Sequence, residues 1–187
     1  GAVGEGPSTR NTPKNNTTLT WNEGVDFLFD AEGEDGALQK VICNGDVVLT
    51  DDNSTVACTT LKVSFNKAPD GSSSPDTAFA TGNVKAVSET QTLWSDEARV
   101  TFKPSDLEQS DDDSMFGNSK ADTMHADGNV QVLLDDGGRA FCDVLDGNIA
   151  QDSVLLTGNV VIAYKRMLMN KGDKATLTLD RNAGKGR

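Results

Sequence analysis

Side chains able to do chemistry are few and scattered in this chain of 187 residues. The single histidine, His125, lies in a strand-like segment, at a place where the corresponding segments carry an apolar residue. There is no second histidine to share a metal ion, and Cys43, Cys58 and Cys142 lack the paired spacing of a zinc site. No nucleophile-elbow motif is present. We therefore interpret His125 as a structural residue and expect no enzyme, no catalytic residue, no metal site and no cofactor.

Carboxylates are plentiful, but their spacing does not indicate a site. The insertion 104–121 contains Asp106, Glu108 and the run 111–113, yet it lacks the central glycine and terminal glutamate of an EF-hand calcium loop. The pairs at 51–52 and 135–136 fall where turns are expected, and aspartate is a common turn residue. We interpret all of these carboxylates as solvated loop and turn residues.

The stretch Phe79–Phe102 shows which elements organise the chain. Apolar residues fall on every second position, then a polar turn follows at 88–91, and the alternation resumes. A two-residue period predicts a strand with one buried face, and two such strands joined by a short turn predict an antiparallel hairpin. The same pattern occurs four times, each copy starting at a Gly-Asn/Asp-Val corner: Gly45–Val47, Gly82–Val84, Gly128–Val130 and Gly158–Val160.

Each corner predicts a bulge or bend in its strand, since glycine tolerates a positive φ at little cost. A further, compressed corner is expected at Gly147–Ile149. The repeat predicts an inner face made of Val47, Leu49, Leu61, Val63, Phe65, Val84, Ala86, Val100, Phe102, Val130, Val132, Val160, Ile162, Leu177 and Leu179. It predicts that Lys62, Lys85, Arg99, Gln131 and Thr178 point to solvent.

Repeats this short cannot bury an apolar face alone, so they must stack into one elongated all-β body. We expect a flexible lead-in over 1–18, a single domain over 19–180 with a first strand within 19–30, and a frayed tail over 181–187. Cys43 and Cys142 fall on inward steps and are expected to be small core residues. One disulfide is compatible with three cysteines, and spacing does not determine its connectivity.

The net charge of −12 argues against nucleic-acid binding. Lys and Arg nevertheless outnumber acidic residues over 165–187, which is typical either of a solvated tail or of a basic rim for an anionic ligand or partner. No apolar run is long enough to span a membrane. No signal peptide is visible, and the Gly/Ser/Pro-rich start looks like that of a mature or trimmed chain, so secretion stays open.

The repeated corners resemble those of the OstA-like family, the periplasmic lipopolysaccharide-transport fold shared by LptA, LptC and the N-terminal part of LptD. The resemblance rests on Ala80–Val84, Ala126–Val130, Leu156–Val160 and the variant corner Gly45–Val47, and it covers about residues 38–180. The acidic insertion and the three cysteines depart from the pattern of the short bridge protein.

The resemblance implies a β-jellyroll folded like a taco, with antiparallel strands forming a V around an apolar groove. It implies a non-enzymatic periplasmic carrier or bridge, soluble or anchored by a segment outside this sequence, that moves lipopolysaccharide or a related lipid towards the outer membrane. Its partners would be that lipid and other OstA-like transport proteins. The groove residues it implies are Val47, Leu49, Val63, Phe65, Val84, Ala86, Val100, Phe102, Val130, Val132, Val160, Ile162 and Leu177.

Two other readings of the repeats stay open. One is a structural β-solenoid module of a secreted or surface protein, and the other is a carbohydrate-active β-helix enzyme. A closed sandwich with the same pattern would bury the inner face and bind nothing. An open stack would leave two edge strands, near 25–29 and 175–179, able to pair with another chain in a head-to-tail contact.

Overall fold

The computed structural model describes residues 17–30, 36–51, 53–67, 73–103, 121–149 and 151–178, and the regular elements over these ranges are all β-strands. None of the described residues belongs to a helix that could cross a membrane. The predicted all-β class is therefore confirmed. The strands are β1 (Thr18–Thr20), β2 (Gly24–Phe29), β3 (Leu38–Thr50), β4 (Ser54–Lys67), β5 (Ser73–Ser88), β6 (Gln91–Phe102), β7 (Ala121–Leu134), β8 (Arg139–Asn148), β9 (Ser153–Tyr164) and β10 (Met167–Thr178).

The strands form one antiparallel sheet whose spatial order follows the chain. From β3 to β9, each strand pairs with the strands before and after it in sequence. Strands β1 and β2 pair with opposite ends of β3 and together make one edge of the sheet. Strand β10 makes the other edge. The two terminal stretches expected to be edge strands therefore lie at the edges of the sheet.

Polar turns join the strands at one end of the sheet, as the sequence predicts for 51–54, 88–91 and 135–138. In the first turn, Oδ1 of Asp51 accepts hydrogen bonds from the backbone N–H groups of Asn53 at 2.9 Å and Ser54 at 2.7 Å. This is the local hydrogen bonding that makes aspartate favourable in turns. The interpretation of Asp51 as a turn residue is confirmed.

The four corners are bends inside β3, β5, β7 and β9. At each corner two successive residues have positive φ, and the register with the neighbouring strands shifts there. A register shift leaves one residue without a partner on the neighbouring strand, and such a bulge makes the strand bend and twist more strongly. The φ values are 79° and 43° at Gly45-Asp46, 80° and 49° at Gly82-Asn83, 77° and 50° at Gly128-Asn129, and 75° and 47° at Gly158-Asn159.

The prediction of a compressed corner at 147–149 is wrong. Gly147 lies in regular strand, paired with Met124 on one side and Val154 on the other, and it is not among the residues with positive φ. The chain reverses after it, where Oδ1 of Asn148 accepts a hydrogen bond from the backbone N–H of Gln151 at 3.0 Å. A glycine followed by asparagine at the end of a strand therefore marks a turn here, whereas the same pair in the middle of a strand marks a corner.

We call the part of the sheet before the corners of the odd-numbered strands the first arm and the part after them the second arm. The side chains on one face of both arms, which we call the inner face, are buried in two clusters, and each cluster contains residues from both arms. The opposite face is the outer face. The first cluster is Val41, Cys43, Val47, Cys58, Leu61, Val63, Phe65, Ala80 and Val84, and the second is Leu93, Ala126, Val130, Ala140, Cys142, Leu145, Leu156, Val160 and Ile162. Together with the corners, this shared burial indicates a sheet folded on itself, consistent with the predicted jellyroll-like fold.

The expected lead-in over 1–18 runs into the sheet, because Thr18 begins β1. Residues 1–16, the acidic residues of the insertion, Leu179 and the expected tail over 181–187 lie outside the described residues. The expectations made for them stay predictions.

Candidate functional site

The corners hold the bend through glycine and a polar contact across the strands. At the corner of β7, Nδ2 of Asn129 donates a hydrogen bond to Oδ2 of Asp96 on β6 at 2.8 Å. A Cβ atom on Gly128 would overlap the Asp96 side chain, so the neighbouring strand can approach only a glycine. The same contact recurs at the next corner, where Asn159 donates to Asp143 at 2.9 Å. The four corners form a line of bends across the sheet, which we call the fold line, and the repeated Gly-Asn pairs determine it through their backbone conformation and hydrogen bonds.

The predicted groove residues all lie on the inner face, but at different depths. Near the corners the arms close on each other, so Val84 and Val130 are each 1% exposed. The buried members of the predicted set are Val47, Val63, Phe65, Val84, Val130, Val160 and Ile162. Leu49, Ala86, Val100, Phe102 and Val132 are half-buried, and Leu177 is 38% exposed.

The two buried clusters divide the predicted set. Val47, Val63, Phe65 and Val84 belong to the cluster of β3–β5, with Leu49 packed against it, and Val130, Val160 and Ile162 belong to the cluster of β6–β9, with Ala86 and Val132 packed against it. Among the described residues, Val100, Phe102 and Leu177 belong to neither cluster. Val100 and Phe102 end the first arm of β6, away from the corner, where the inner face is less closed.

The inner face stays exposed at both ends of the sheet. Phe27 and Phe29 on β2 are 49% and 59% exposed, although Phe27 pairs with the buried Val41. At the other edge, Met167 and Met169 on β10 are 52% and 45% exposed, and Met169 pairs with the buried Ile162. The edge strands therefore continue the apolar inner surface of the sheet outward, with no neighbouring strand among the described residues to cover them.

Sequence reasoning missed the two methionines of β10. The stretch 164–169 contains no Gly, Pro or Asn to mark a turn, so the start of the last strand was not recognised. Lys165 takes the turn position instead, with φ of 53°. The signal that could have found them is the alternation itself, because Met167 and Met169 continue the inward steps once the turn is placed at 165–166.

The outer face agrees with the prediction, because Lys62, Lys85, Arg99, Gln131 and Thr178 are all exposed. His125 also lies on this face, between Arg99 on β6 and Asp146 on β8. Its Nδ1 atom is 2.6 Å from Oδ1 of Asp146, and both side chains are about half exposed. A depression of about 330 Å³ beside the pair is lined by both apolar and polar residues, among them Met124, Leu155 and Ser153. Within the described residues, no hydroxyl is hydrogen-bonded to His125, and no cluster of His, Cys, Asp and Glu could hold a metal ion.

Comparison with known families gives a match to the LptA/(LptD N-terminal domain) LPS transport protein family over residues 70–185. This range covers more than half of the chain and spans the strands β5–β10. The chain belongs to this family. No curated protein matches the chain.

The LptA/LptD family fold extends beyond the matched range in this chain. Strands β3 and β4 precede residue 70, yet the corner at Gly45-Asp46 has the same backbone geometry as the three corners inside the match. Family membership confirms the resemblance and indicates a role related to lipopolysaccharide transport, with lipopolysaccharide and other Lpt proteins as partners. Proteins of this family are periplasmic or associated with the cell envelope, and the family is one of lipopolysaccharide transport.

The three cysteines of this family member are free and buried. Cys43, Cys58 and Cys142 pack in the two clusters, so the expected core role is confirmed for Cys43 and Cys142. Burial raises the pKa of Cys58 and of Cys142 to about 11, because the thiolate would lose its hydration there. Thiols of this kind are packing residues and not nucleophiles.

Proposed function

We propose that this chain is a non-enzymatic carrier that binds the acyl chains of lipopolysaccharide between its two arms and passes them along the sheet towards the outer membrane. The observation that carries the proposal is the exposed apolar inner face at both edge strands. Exposed apolar surface costs about 25 cal/mol per Å² in water, so a bound acyl chain or a neighbouring protein would stabilise it. Family membership supports the same role.

The sites best suited to test binding are Val100 and Phe102. They lie on the inner face where it is half open, outside both buried clusters, so a polar substitution there does not dismantle the packed core. Closer to the corners, the equivalent change at Val84 or Val130 would leave a charge buried in the core and unfold the protein.

Val100→Asp is expected to weaken binding of fluorescent lipopolysaccharide roughly tenfold or more, because it removes an apolar contact and places a charge against an acyl chain. Arg99→Asp is the matched control, since Arg99 is the next residue along the strand and points to the outer face beside Phe79, 5.1 Å from the ring centroid. It is expected to leave binding unchanged. Thermal unfolding of both variants checks that the fold is intact.

The proposal fails if the unmodified protein does not bind lipopolysaccharide, or if both substitutions weaken binding equally. Equal loss would mean that the inner face has no special part in binding. Retention of binding by Val100→Asp with loss by Arg99→Asp would place the ligand on the outer face.

We further propose that copies of the chain, or other Lpt proteins, pair head to tail through the two edge strands, which would join their inner faces into one surface. Unpaired edge N–H and C=O groups are ready to extend a sheet. Phe27 and Phe29 of the first arm would then meet Leu177 of β10, and Met167 and Met169 of the second arm would meet Leu19 of β1, so each arm would continue its apolar inner face.

Sedimentation over a concentration series at low and high salt tests this association. Met169→Asp is expected to weaken it, whereas Thr176→Asp, on the opposite face of the same strand, keeps the inner surface apolar and is expected to have less effect. A monomer at every concentration up to about millimolar, the weak end of the affinity scale, would contradict the proposal.

A further inference from the structure

A second apolar surface lies on the outer face of the second arm, where a folded sheet is expected to be polar. Phe141 is 40% exposed and Leu168 is 67% exposed, the highest exposure given for any large apolar side chain among the described residues. Phe141 pairs with Val161, and Leu168 pairs with Ala163, so these four residues form one continuous surface across β8, β9 and β10. We call this surface the outer patch.

Two other aromatic rings on the outer face of the sheet are covered by cations. The Arg99 guanidinium lies over Phe79 at 5.1 Å, and the Lys85 ammonium lies over Trp94 at 5.9 Å from the ring centroid. In the described part of the chain, no cation lies over Phe141 in the same way. Covering a ring with the stem of a charged side chain is the usual way to keep such a surface soluble. The outer patch does not use it.

Cations border the outer patch. Arg139 precedes Phe141 on the same face of β8, and Lys165 and Arg166 form the turn that leads into Leu168. Among the described residues, none of these three cations forms a salt bridge with a carboxylate. A side-chain hydrogen bond with Tyr164 and, more weakly, the charge of Asp136 raise the pKa of Lys165, so its ammonium is charged at neutral pH.

This combination distinguishes the outer patch from the rest of an acidic molecule. With a net charge of −12, the molecule as a whole is repelled by an anionic membrane, and the cations that border the outer patch offset this repulsion locally. Exposed Leu and Phe beside Lys and Arg are the composition of surfaces that rest in the lipid headgroup layer. Long cationic side chains reach the phosphates while the apolar residues enter the acyl boundary.

We propose that the outer patch docks this protein on the surface of an anionic phospholipid bilayer, with Leu168 and Phe141 entering the interface and Arg139, Lys165 and Arg166 binding lipid phosphates. The contact uses the outer face of the sheet, so it is separate from ligand binding between the arms. Docking would hold the β10 edge of the sheet next to a membrane.

Flotation of the unmodified protein with vesicles tests the proposal. The protein is expected to float with vesicles of equimolar phosphatidylglycerol and phosphatidylcholine at low salt, less at high salt, and not with pure phosphatidylcholine. Arg166→Gln is expected to lower the partition coefficient about fivefold, the effect of one basic residue near an anionic surface. Leu168→Ser is expected to lower it roughly tenfold or more, since a large apolar side chain no longer enters the interface.

Lys62→Gln is the matched control, because Lys62 is exposed on the outer face of the first arm, away from the outer patch. It is expected to leave flotation unchanged. Absence of flotation with anionic vesicles overturns the proposal, and so does an equal loss from Lys62→Gln and Arg166→Gln. If Leu168→Ser reduces self-association in sedimentation and leaves flotation unchanged, the outer patch binds a second copy and not a bilayer. Lipopolysaccharide binding in solution by Arg166→Gln is expected to equal that of the unmodified protein, which separates this test from that of the carrier role.

Discussion

Replacing Gly128 by alanine tests whether the corners depend on glycine. The residue has φ of 77°, a left-handed conformation that costs an L-residue about 1–2 kcal/mol. The new Cβ would also lie 2.8 Å from the Cβ of Asp96, which is fixed to the backbone of β6 and cannot rotate away. Overpacking of this kind costs about 1–3 kcal/mol, and loss of the Asn129–Asp96 hydrogen bond adds about 0.5 kcal/mol. The expected loss of unfolding free energy is therefore roughly 2.5–5.5 kcal/mol.

Gly137→Ala is the matched control. Gly137 has φ of 85°, but no atom lies within 4 Å of the position its Cβ would take. Its expected cost is the conformational part alone, about 1–2 kcal/mol. Urea unfolding followed by circular dichroism measures both variants, and for a domain of this size each kcal/mol lowers Tm by about 2–4 °C.

A second substitution isolates the contact with Asp96. Asp96→Gly removes every side-chain atom that the new Cβ would meet, so Gly128→Ala should cost less in that background by about 1–3 kcal/mol. The reasoning is refuted if Gly128→Ala costs no more than Gly137→Ala, or if Asp96→Gly leaves the cost of Gly128→Ala unchanged.

Two further predictions concern the buried interior. Burial raises the pKa of Cys58 from 9.0 to about 11 on folding, so the folded state holds this proton more tightly than the unfolded state. The stability that this adds is fully present below pH 9 and should be lost as pH rises through 11. In urea unfolding at pH 8 and pH 10.5, Cys58→Ala should show a smaller loss of stability between the two pH values, and an unchanged loss would contradict the raised pKa of Cys58. The Oγ atom of Ser95 is buried and has no hydrogen-bond partner among the described residues, so Ser95→Ala should leave stability unchanged or raise it by about 1 kcal/mol. Ser95→Cys is the control, because Cys58 and Cys142 occupy the same place as Ser95, opposite the valine that follows a corner. A loss of stability above about 1 kcal/mol in Ser95→Ala would show that the hydroxyl has a hydrogen-bond partner.

The corners and the two faces of the sheet were predictable because each depends on local chemistry. Gly128 and Asn129 are suited to left-handed backbone, and their place within an alternating segment fixes the side to which Val130 points. The partner of Asn129 was not predictable, because Asp96 lies on another strand and its role depends on register.

The depth of each inner residue was not predictable either. The alternation predicts that Val84 and Phe102 both point to the inner face, yet Val84 is almost fully buried and Phe102 is half-buried. The difference is the distance from the fold line, which is set by how closely the two arms approach. Leu177 fits the pattern equally well and is exposed because no described strand lies beyond β10.

The strict sequential order of the sheet makes the length of this molecule adjustable. Because each strand from β4 to β9 pairs only with its two chain neighbours, inserting or deleting one corner with its two strands breaks no strand pairing between distant parts of the chain. Two strands add roughly 10 Å along the stacking direction and leave the cross-section unchanged. The number of Gly-Asn/Asp corners would then set the distance that the protein spans. Evolution could change this distance by whole repeats without changing the residues of the interior.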